Sequence, residues 1–236
     1  MKQTLRLFQI GLKQITKDGM LLILLPAPFL VGVIFKYAIP FANSILEERL
    51  SFSLEPWYGL VDGMLICLTS MFVALAFAFL ILEERDEGIT AFYQITPTGG
   101  YSYLMARIGI PMIGAWIVTV ITACFFNISG LPKMTILASS TISILTGIIL
   151  AMVIVALAGN RVEGLALAKL TGISFLGLIL VWFIPAPYAY FLAFLPSFWI
   201  GKLILGGAAA LPFLLGLLLS LLWIIFFTRR FLTRIG

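Results

Sequence analysis

Residues 58–87 read YGLVDGMLICLTSMFVALAFAFLILEERDE, an apolar run of 25 residues that ends abruptly in five charged side chains. A helix crosses the hydrocarbon core of a bilayer with about 20 mainly apolar residues, so this run is long enough to span a membrane. A strand of a membrane barrel instead alternates apolar and polar residues over about 10 positions, and the run does not alternate. The pattern therefore predicts a transmembrane helix whose charged end lies in water.

The whole chain has the composition of a membrane protein. Hydrophobic residues make up 62% of its 236 residues and charged residues 11%, against about 45–50% and about 25% in soluble domains. We therefore expect an all-α membrane protein that forms a single transmembrane domain over residues 1–236. The six segments long and apolar enough to cross are 19–41, 58–82, 104–126, 134–159, 171–192 and 208–228.

The first 18 residues differ from these segments. Leu5, Phe8 and Leu12 recur at three- and four-residue steps, and lysines and an arginine occupy another face. This pattern predicts an amphipathic helix lying in the headgroup plane, with its apolar face at the acyl boundary. Two interpretations remain open, a simple anchor for the first span and a contact for a cytosolic partner.

The segment between the fifth and sixth spans is also unusual. It is too apolar for a free loop, and Pro196 and Gly206–Gly207 interrupt it too often for a crossing helix. Irregular backbone at membrane depth persists only when it packs against protein or faces water. We expect a re-entrant or short outer helical segment, which either shapes an outer gate or is a structural plug.

Lysine and arginine are distributed unevenly between the two sides of this arrangement. With the N-terminus inside, eleven of the 15 basic residues lie on the inner side. The positive-inside rule therefore places both termini in the cytoplasm. The net charge of +5 is explained by contacts with membrane lipids, and nothing calls for a nucleic-acid partner. The exceptions on the outer side are Lys36, Arg49, Lys133 and Lys202.

Two charged segments face the cytoplasm in this topology. In the first, residues 83–100, acids near a helix start are favoured by the helix dipole, and the residue before a proline leaves the helical region. We expect a short helix beneath the membrane, acidic at its first end, for a cytosolic partner to contact. The alternative is a solvated connection. The candidate contact residues are Glu83, Glu84, Arg85, Asp86, Glu87, Gly88, Phe92, Thr96 and Pro97, and in the second segment Asn160, Arg161, Glu163 and Lys169.

Asp62 is an acidic residue within a predicted span. It lies one helical turn deeper than Trp57 and Tyr58, which mark an outer interface as aromatic belts do. An intramembrane acid is a candidate for a transport pathway. The alternative interpretation is a carboxylate that reaches water or caps a neighbouring helix.

Three features together resemble the type-two ABC transporter permease family. They are the six spans, the N-terminal interfacial helix, and an E-x-x-x-G…TP pattern after the second span, here Glu84, Gly88 and Thr96-Pro97. The family has a leucine-rich stretch before the Thr-Pro, where this chain has ITAFYQI. The segment NRVEGLALAKL also resembles a recurrent feature of bacterial members.

The resemblance implies the membrane subunit of an exporter in a bacterial cytoplasmic membrane. Such a subunit pairs with a second permease copy or a related permease, and binds a separate ABC ATPase that holds ATP and Mg²⁺. The loop after the second span would dock on the ATPase as a coupling helix, and the N-terminal helix and the residues from Asn160 to Lys169 would add contacts. The spans themselves offer mostly apolar side chains with some serine and threonine, from which we expect an amphipathic or hydrophobic cargo, such as a drug, an antimicrobial peptide or a lipid-like molecule.

Motifs that the sequence lacks disfavour several kinds of binding and catalytic site. The sequence has no G-x-x-x-x-G-K-[ST] and no histidine, so we expect no P-loop, no imidazole metal site, no catalytic residues and no cofactor in this chain. The spans carry few ionisable groups, which disfavours a proton-driven secondary carrier. That carrier, a non-transporting scaffold or immunity protein, and a membrane-embedded enzyme remain as alternatives.

Overall fold

The computed structural model of the chain describes residues 2–89, 103–207 and 209–235, with side chains for 8–19, 21–89, 103–169, 171–207 and 209–230. The described residues are almost entirely helical and contain no strand. A π-helical turn at Met105–Gly109 precedes α5, and three short 3₁₀ segments lie at Glu55–Trp57, Thr171–Phe175 and Tyr188–Leu192. The α-helices are α1 (Lys2–Ile15), α2 (Gly19–Leu24), α3 (Ala27–Leu50), α4 (Tyr58–Asp86), α5 (Ile110–Phe126), α6 (Lys133–Leu157), α7 (Arg161–Leu170), α8 (Leu176–Phe183), α9 (Pro196–Gly206) and α10 (Ala210–Ile235).

Six helical stretches of the described residues are long and apolar enough to cross a membrane. The predicted all-α membrane fold is thereby confirmed. Because successive crossings alternate in direction, both ends of the chain lie on one side of the bundle. We call this the terminal side and the opposite one the distal side. The crossings are Ala27–Leu50, Glu55–Asp86, Met105–Phe126, Lys133–Leu157, Arg161–Phe183 and Ala210–Arg230.

Helices α4 and α6 form the centre of the bundle, and small residues let them approach closely. The hydroxyls of Ser70 and Ser143 lie 2.6 Å apart, and Ser143 Oγ also donates to the carbonyl of Ile66 at 2.9 Å. A Cβ added at Gly147 would lie 3.1 Å from the carbonyl oxygen of Ser70. The small residues of α6 therefore pack inside one chain, whereas α3 and α10 expose apolar side chains at the periphery.

The first crossing lies further along the chain than the predicted span of 19–41. Pro26 separates α2 from α3, because proline has no backbone N–H and clashes with the preceding turn. Helix α3 then continues to Leu50 and ends where Ser51 adopts a left-handed backbone with φ of 49°. Beyond it, Asn43 Oδ1 accepts a hydrogen bond from the N–H of Leu54 at 2.5 Å, which fixes the return toward α4.

The fifth crossing, Arg161–Phe183, begins and ends earlier than the predicted 171–192, because α8 ends at Phe183, just before Ile184-Pro185. The chain then re-enters the bundle. Trp223 Nε1 donates to the carbonyl of Phe194 at 3.1 Å, and Trp223 lies about 20 Å along α10 from its distal end. Residues 184–195 therefore reach the middle of the bundle, and α9 then returns to the distal side. Together they form the predicted re-entrant segment.

Hydrogen bonds and burial explain how this irregular backbone persists at membrane depth. Trp199 Nε1 donates to the carbonyl of Ala193 at 2.9 Å, and Ser197 Oγ donates to the carbonyl of Ser174. Most of α9 is buried, Phe198 completely. These contacts satisfy polar groups that lipid cannot satisfy.

Candidate functional site

Charged side chains from four parts of the chain meet at the terminal side of the bundle. They come from the turn between α1 and α2, the last turn of α4, the π-helical turn before α5 and the start of α7. We call this group the terminal charged cluster. It consists of Asp18, Glu83, Glu84, Arg85, Asp86, Arg107 and Arg161.

The acidic run lies at the end of a crossing helix. Glu83–Asp86 form the last turn of α4, and Gly88, with φ of 72°, takes the left-handed conformation beyond it. These acids therefore belong to the second crossing, and the short helix predicted over residues 83–100 stays a prediction. Carboxylates are disfavoured at a helix C-terminus by the dipole, and the arginines of the cluster compensate. The rest of the predicted coupling helix, with Phe92, Thr96 and Pro97, lies outside the described residues.

Arg161 joins the two segments that the sequence presented as separate contacts. Its guanidinium lies 2.5 Å from Asp18 Oδ2 and 3.7 Å from Glu83 Oε2. Its backbone N–H donates to Asp86 Oδ2 at 3.0 Å, so a side chain of α4 holds the first residue of α7. The end of α4, the start of α7 and the α1–α2 turn therefore form one continuous surface.

Helix α7 begins with a capping arrangement that uses two of the predicted contact residues. Asn160 Oδ1 accepts a hydrogen bond from the N–H of Glu163 at 2.9 Å, and Glu163 Oε2 accepts one from the N–H of Gly159 at 2.6 Å. Reciprocal bonds of this kind satisfy the free N–H groups of a helix start. Asn160 and Glu163 thus stabilise α7 itself.

The outer face of α7 is open to a partner or to headgroups. Val162 and Leu165 are exposed on this face together with Lys169. The opposite face packs closely on α4, since a Cβ added at Gly164 would lie 2.3 Å from Leu82 Cδ1. Helix α7 is therefore in direct contact with the central helix of the bundle.

Arg85 is directed to a neighbouring helix end. Its Nη1 donates to the carbonyls of Val155 at 3.1 Å and of Ala158 at 2.7 Å. A cation near the last carbonyls of a helix is favoured by the helix dipole and satisfies free acceptors. Arg85 therefore ties the end of α6 to the end of α4.

Glu84 lies inside the bundle, in contrast to its neighbours. Its side chain is 1% exposed and pairs with Arg107, which is fully buried. Arg107 Nε donates to Glu84 Oε2 at 3.1 Å, and the hydroxyl of Tyr103 donates to the same oxygen at 2.7 Å. At this depth Glu84 does not reach a partner, and the contact role predicted for it is not supported. Asp86, Glu87 and Gly88 are the exposed members of the run.

Sequence reasoning missed two members of the cluster, Asp18 and Arg107. Asp18 carries no signal beyond its charge. Arg107 does, because it stands in the otherwise apolar run YLMARIGIP, and a charge inside a span usually pairs with an opposite charge.

Asp62 caps a loop at the distal side. Its carboxylate accepts hydrogen bonds from the N–H groups of Ile128 at 3.0 Å and Ser129 at 2.9 Å, and from the hydroxyl of Ser129 at 2.5 Å. These three donors account for its burial between α4 and the α5–α6 loop. The geometry favours the capping interpretation over a place in a transport pathway.

Comparison with known proteins places this architecture in a family. A protein-family model described as "Fluoroquinolones export permease protein Rv2686c-like" matches residues 11–229, which include the terminal charged cluster. The chain belongs to this family. No solved structure matches the permease.

Two curated relatives of the permease carry the same description. They are Fluoroquinolones export permease protein MT2760 and Fluoroquinolones export permease protein Rv2686c, from Mycobacterium tuberculosis strains CDC 1551 / Oshkosh and ATCC 25618 / H37Rv. Each is 26% identical over 227 residues, covering 91% of this chain and 88% of the relative. The permease is therefore a multi-pass membrane component of an export system, in agreement with its resemblance to type-two ABC transporter permeases.

Proposed function

We propose that the permease is the membrane-spanning subunit of an ATP-driven exporter, powered by a separate ABC ATPase that docks on the terminal side. In this arrangement both termini face the cytoplasm of a bacterial cell, and ATP and Mg²⁺ bind on the ATPase. A second copy of the permease or a related permease completes the membrane unit. The exposed residues Asp86, Glu87, Gly88 and Lys169, with the partly exposed Arg161, are the proposed docking contacts.

The continuity of the terminal surface is the observation that carries this proposal. Arg161 connects α7 to Asp86 at the end of α4, and Gly164 seats α7 directly on Leu82 of the same helix. Helix α4 is buried along most of its length at the centre of the bundle. A partner that presses on this surface therefore acts on the helix with which most others pack.

The proposed cargo is an amphipathic or hydrophobic molecule. The relatives are named for fluoroquinolones, which combine an aromatic body with charged groups. A fluoroquinolone is therefore the first probe for this chain, and an antimicrobial peptide and a lipid-like molecule are the other candidates. Apolar and hydroxyl side chains dominate the buried interior of the described spans, and such surfaces suit an amphipathic solute.

Transport in inside-out vesicles tests the proposal. The permease is co-reconstituted with an ABC ATPase that co-purifies with it, and accumulation of a fluorescent fluoroquinolone is followed with and without ATP. We expect uptake only with hydrolysable ATP, and no loss of uptake when an ionophore collapses the ion gradients. Uptake that follows the gradient and ignores ATP identifies a secondary carrier. Absence of flux for all three cargo classes, with the ATPase bound, favours the scaffold interpretation.

Charge reversal at the exposed end of α4 tests the docking surface. We expect Glu87→Lys to weaken capture of the ATPase about ten-fold, equivalent to about 1.4 kcal/mol, because it reverses an exposed charge on the proposed contact surface. Glu48→Lys is the matched control, since Glu48 is an exposed acid near the distal end of α3. Equal capture by both variants, measured by co-purification at constant ionic strength, would place the ATPase elsewhere.

A further inference from the structure

We propose that Glu84, Tyr103 and Arg107 form a buried clamp that holds the end of α4 and the π-helical turn before α5 together, on the two sides of the connection 87–102, and that α1 is docked on this clamp. In consequence α1, the end of α4 and the π-helical turn move as one body when a partner presses on the connection. The action of a partner on this body rests on the proposed function. The clamp itself rests on the geometry of the described residues.

The members of the clamp lie on both sides of the connection 87–102 in the sequence. Glu84 precedes the connection and Tyr103 directly follows it. The hydroxyl of Tyr103 donates to Glu84 Oε2 at 2.7 Å, so one hydrogen bond joins the residues that flank the connection. Arg107, one turn further along, bonds both oxygens of the same carboxylate. Bidentate pairing of this kind fixes orientation as well as distance.

A rare backbone conformation places Arg107 in the clamp. Met105–Gly109 form a π-helical turn, a conformation that inserts an extra residue into a helix and is frequently found at functional sites. The Arg107 guanidinium carbon also lies 6.0 Å from the centroid of the Tyr103 ring, within reach of a cation–π contact. Tyr103 and Arg107 are therefore packed against each other and against Glu84.

Gly11 gives α1 its seat on the clamp. A Cβ at this position would lie 2.1 Å from Arg107 Nη1 and 3.0 Å from Leu80 Cδ2. On either side of Gly11, Ile15 is fully buried and Phe8 stacks on Phe77 with ring centroids 6.2 Å apart. Helix α1 is therefore packed on α4 and on the start of α5, and it covers the ion pair.

The energetics of buried ion pairs indicate that the clamp fixes the arrangement of the elements that carry it and adds little to the stability of the fold. Desolvation of two charges offsets most of their attraction, and apolar residues of similar volume often stabilise a protein as well or better. A charged pair with bidentate geometry, in contrast, permits one arrangement of the elements that carry it. An apolar contact permits several, because dispersion forces have no direction.

An apolar replacement of the whole clamp separates these two roles. The variant is Glu84→Leu, Tyr103→Phe and Arg107→Met. For the distance measurement alone it is made without Cys67 and Cys124 and carries spin labels at the exposed positions Lys17 and Glu87. Unfolding, capture of the ATPase and transport are measured on the unlabelled variant, which keeps Glu87. The distribution of the label distance reports whether α1 and the end of α4 keep one arrangement. The matched control, Trp116→Phe with Thr141→Val, removes a 3.2 Å hydrogen bond between α5 and α6.

We expect the apolar variant to keep its thermal unfolding midpoint and its capture of the ATPase, while the width of the distance distribution at least doubles. Fluoroquinolone moved per ATP hydrolysed should fall at least five-fold. Tyr103→Phe alone should broaden the distribution less, and the control should match the parent protein. A narrow distribution with unchanged transport in the apolar variant overturns the clamp. If the parent protein moves nothing in response to ATP, the proposed function fails, and the label distances still decide the clamp.

Discussion

Arg107→Leu is expected to leave little folded permease in the membrane. The substitution removes both arginine bonds from Glu84, whose side chain is 1% exposed. Removing one partner of a buried ion pair costs about 3–5 kcal/mol, because the other charge stays buried without compensation. The total stability of a folded domain is only about 5–15 kcal/mol. We expect the yield of monodisperse protein after detergent extraction to fall several-fold, and its thermal unfolding midpoint to fall with it.

The apolar clamp variant is the internal control for this loss. It lacks the same arginine and also lacks the carboxylate that the arginine compensates, so it should recover most of the yield and of the unfolding midpoint. An Arg107→Leu protein as stable as the parent would show that Glu84 does not depend on Arg107 for compensation of its burial. An apolar variant less stable than Arg107→Leu would contradict the argument from desolvation.

The fold was predictable from the sequence because each crossing is a local property. A run of apolar residues long enough for the bilayer has no other stable conformation there than a helix, since every backbone group must be satisfied internally. The ends of the crossings were less predictable, because contacts between distant residues set them. Helix α3 runs on to Leu50, where the hydrogen bond from Leu54 to Asn43 supports the return of the chain.

The candidate site was predictable in its place but not in its arrangement. Consecutive residues of a helix point about 100° apart, so neighbouring acids of α4 meet different surroundings. Glu84 faces the start of α5 and is buried, whereas Glu83 and Asp86 meet Arg161 at the start of α7. The charges alone did not indicate which acids are buried and which meet Arg161. That depends on the direction of each side chain, which is set by the continuation of α4 through Asp86.

Gly177→Leu is expected to reduce both stability and transport, because the re-entrant segment packs closely against this glycine. A Cβ at Gly177 would lie 2.6 Å from Ser197 Oγ and 2.7 Å from the backbone nitrogen of Phe198. The side chain has no space unless α9 moves away from α8, and overpacking a core typically costs about 1–3 kcal/mol. We expect a lower thermal unfolding midpoint. Under the proposed function, and if the re-entrant segment shapes the outer gate, we also expect fluoroquinolone transport to fall more than ten-fold, because the substitution displaces that segment.

Gly172→Leu is the matched control, because Gly172 lies in the 3₁₀ turn just before α8 and a Cβ there has nothing within 4 Å. Both variants replace a glycine in a helical segment by leucine, so effects on the unfolded chain are similar, and only contact with α9 differs. Capture of the ATPase should be unchanged in both, since the terminal charged cluster belongs to other helices. Loss of transport with intact capture would make the contact between α8 and α9 part of the export path. If Gly177→Leu transports as well as Gly172→Leu, the re-entrant segment is a plug with no moving part.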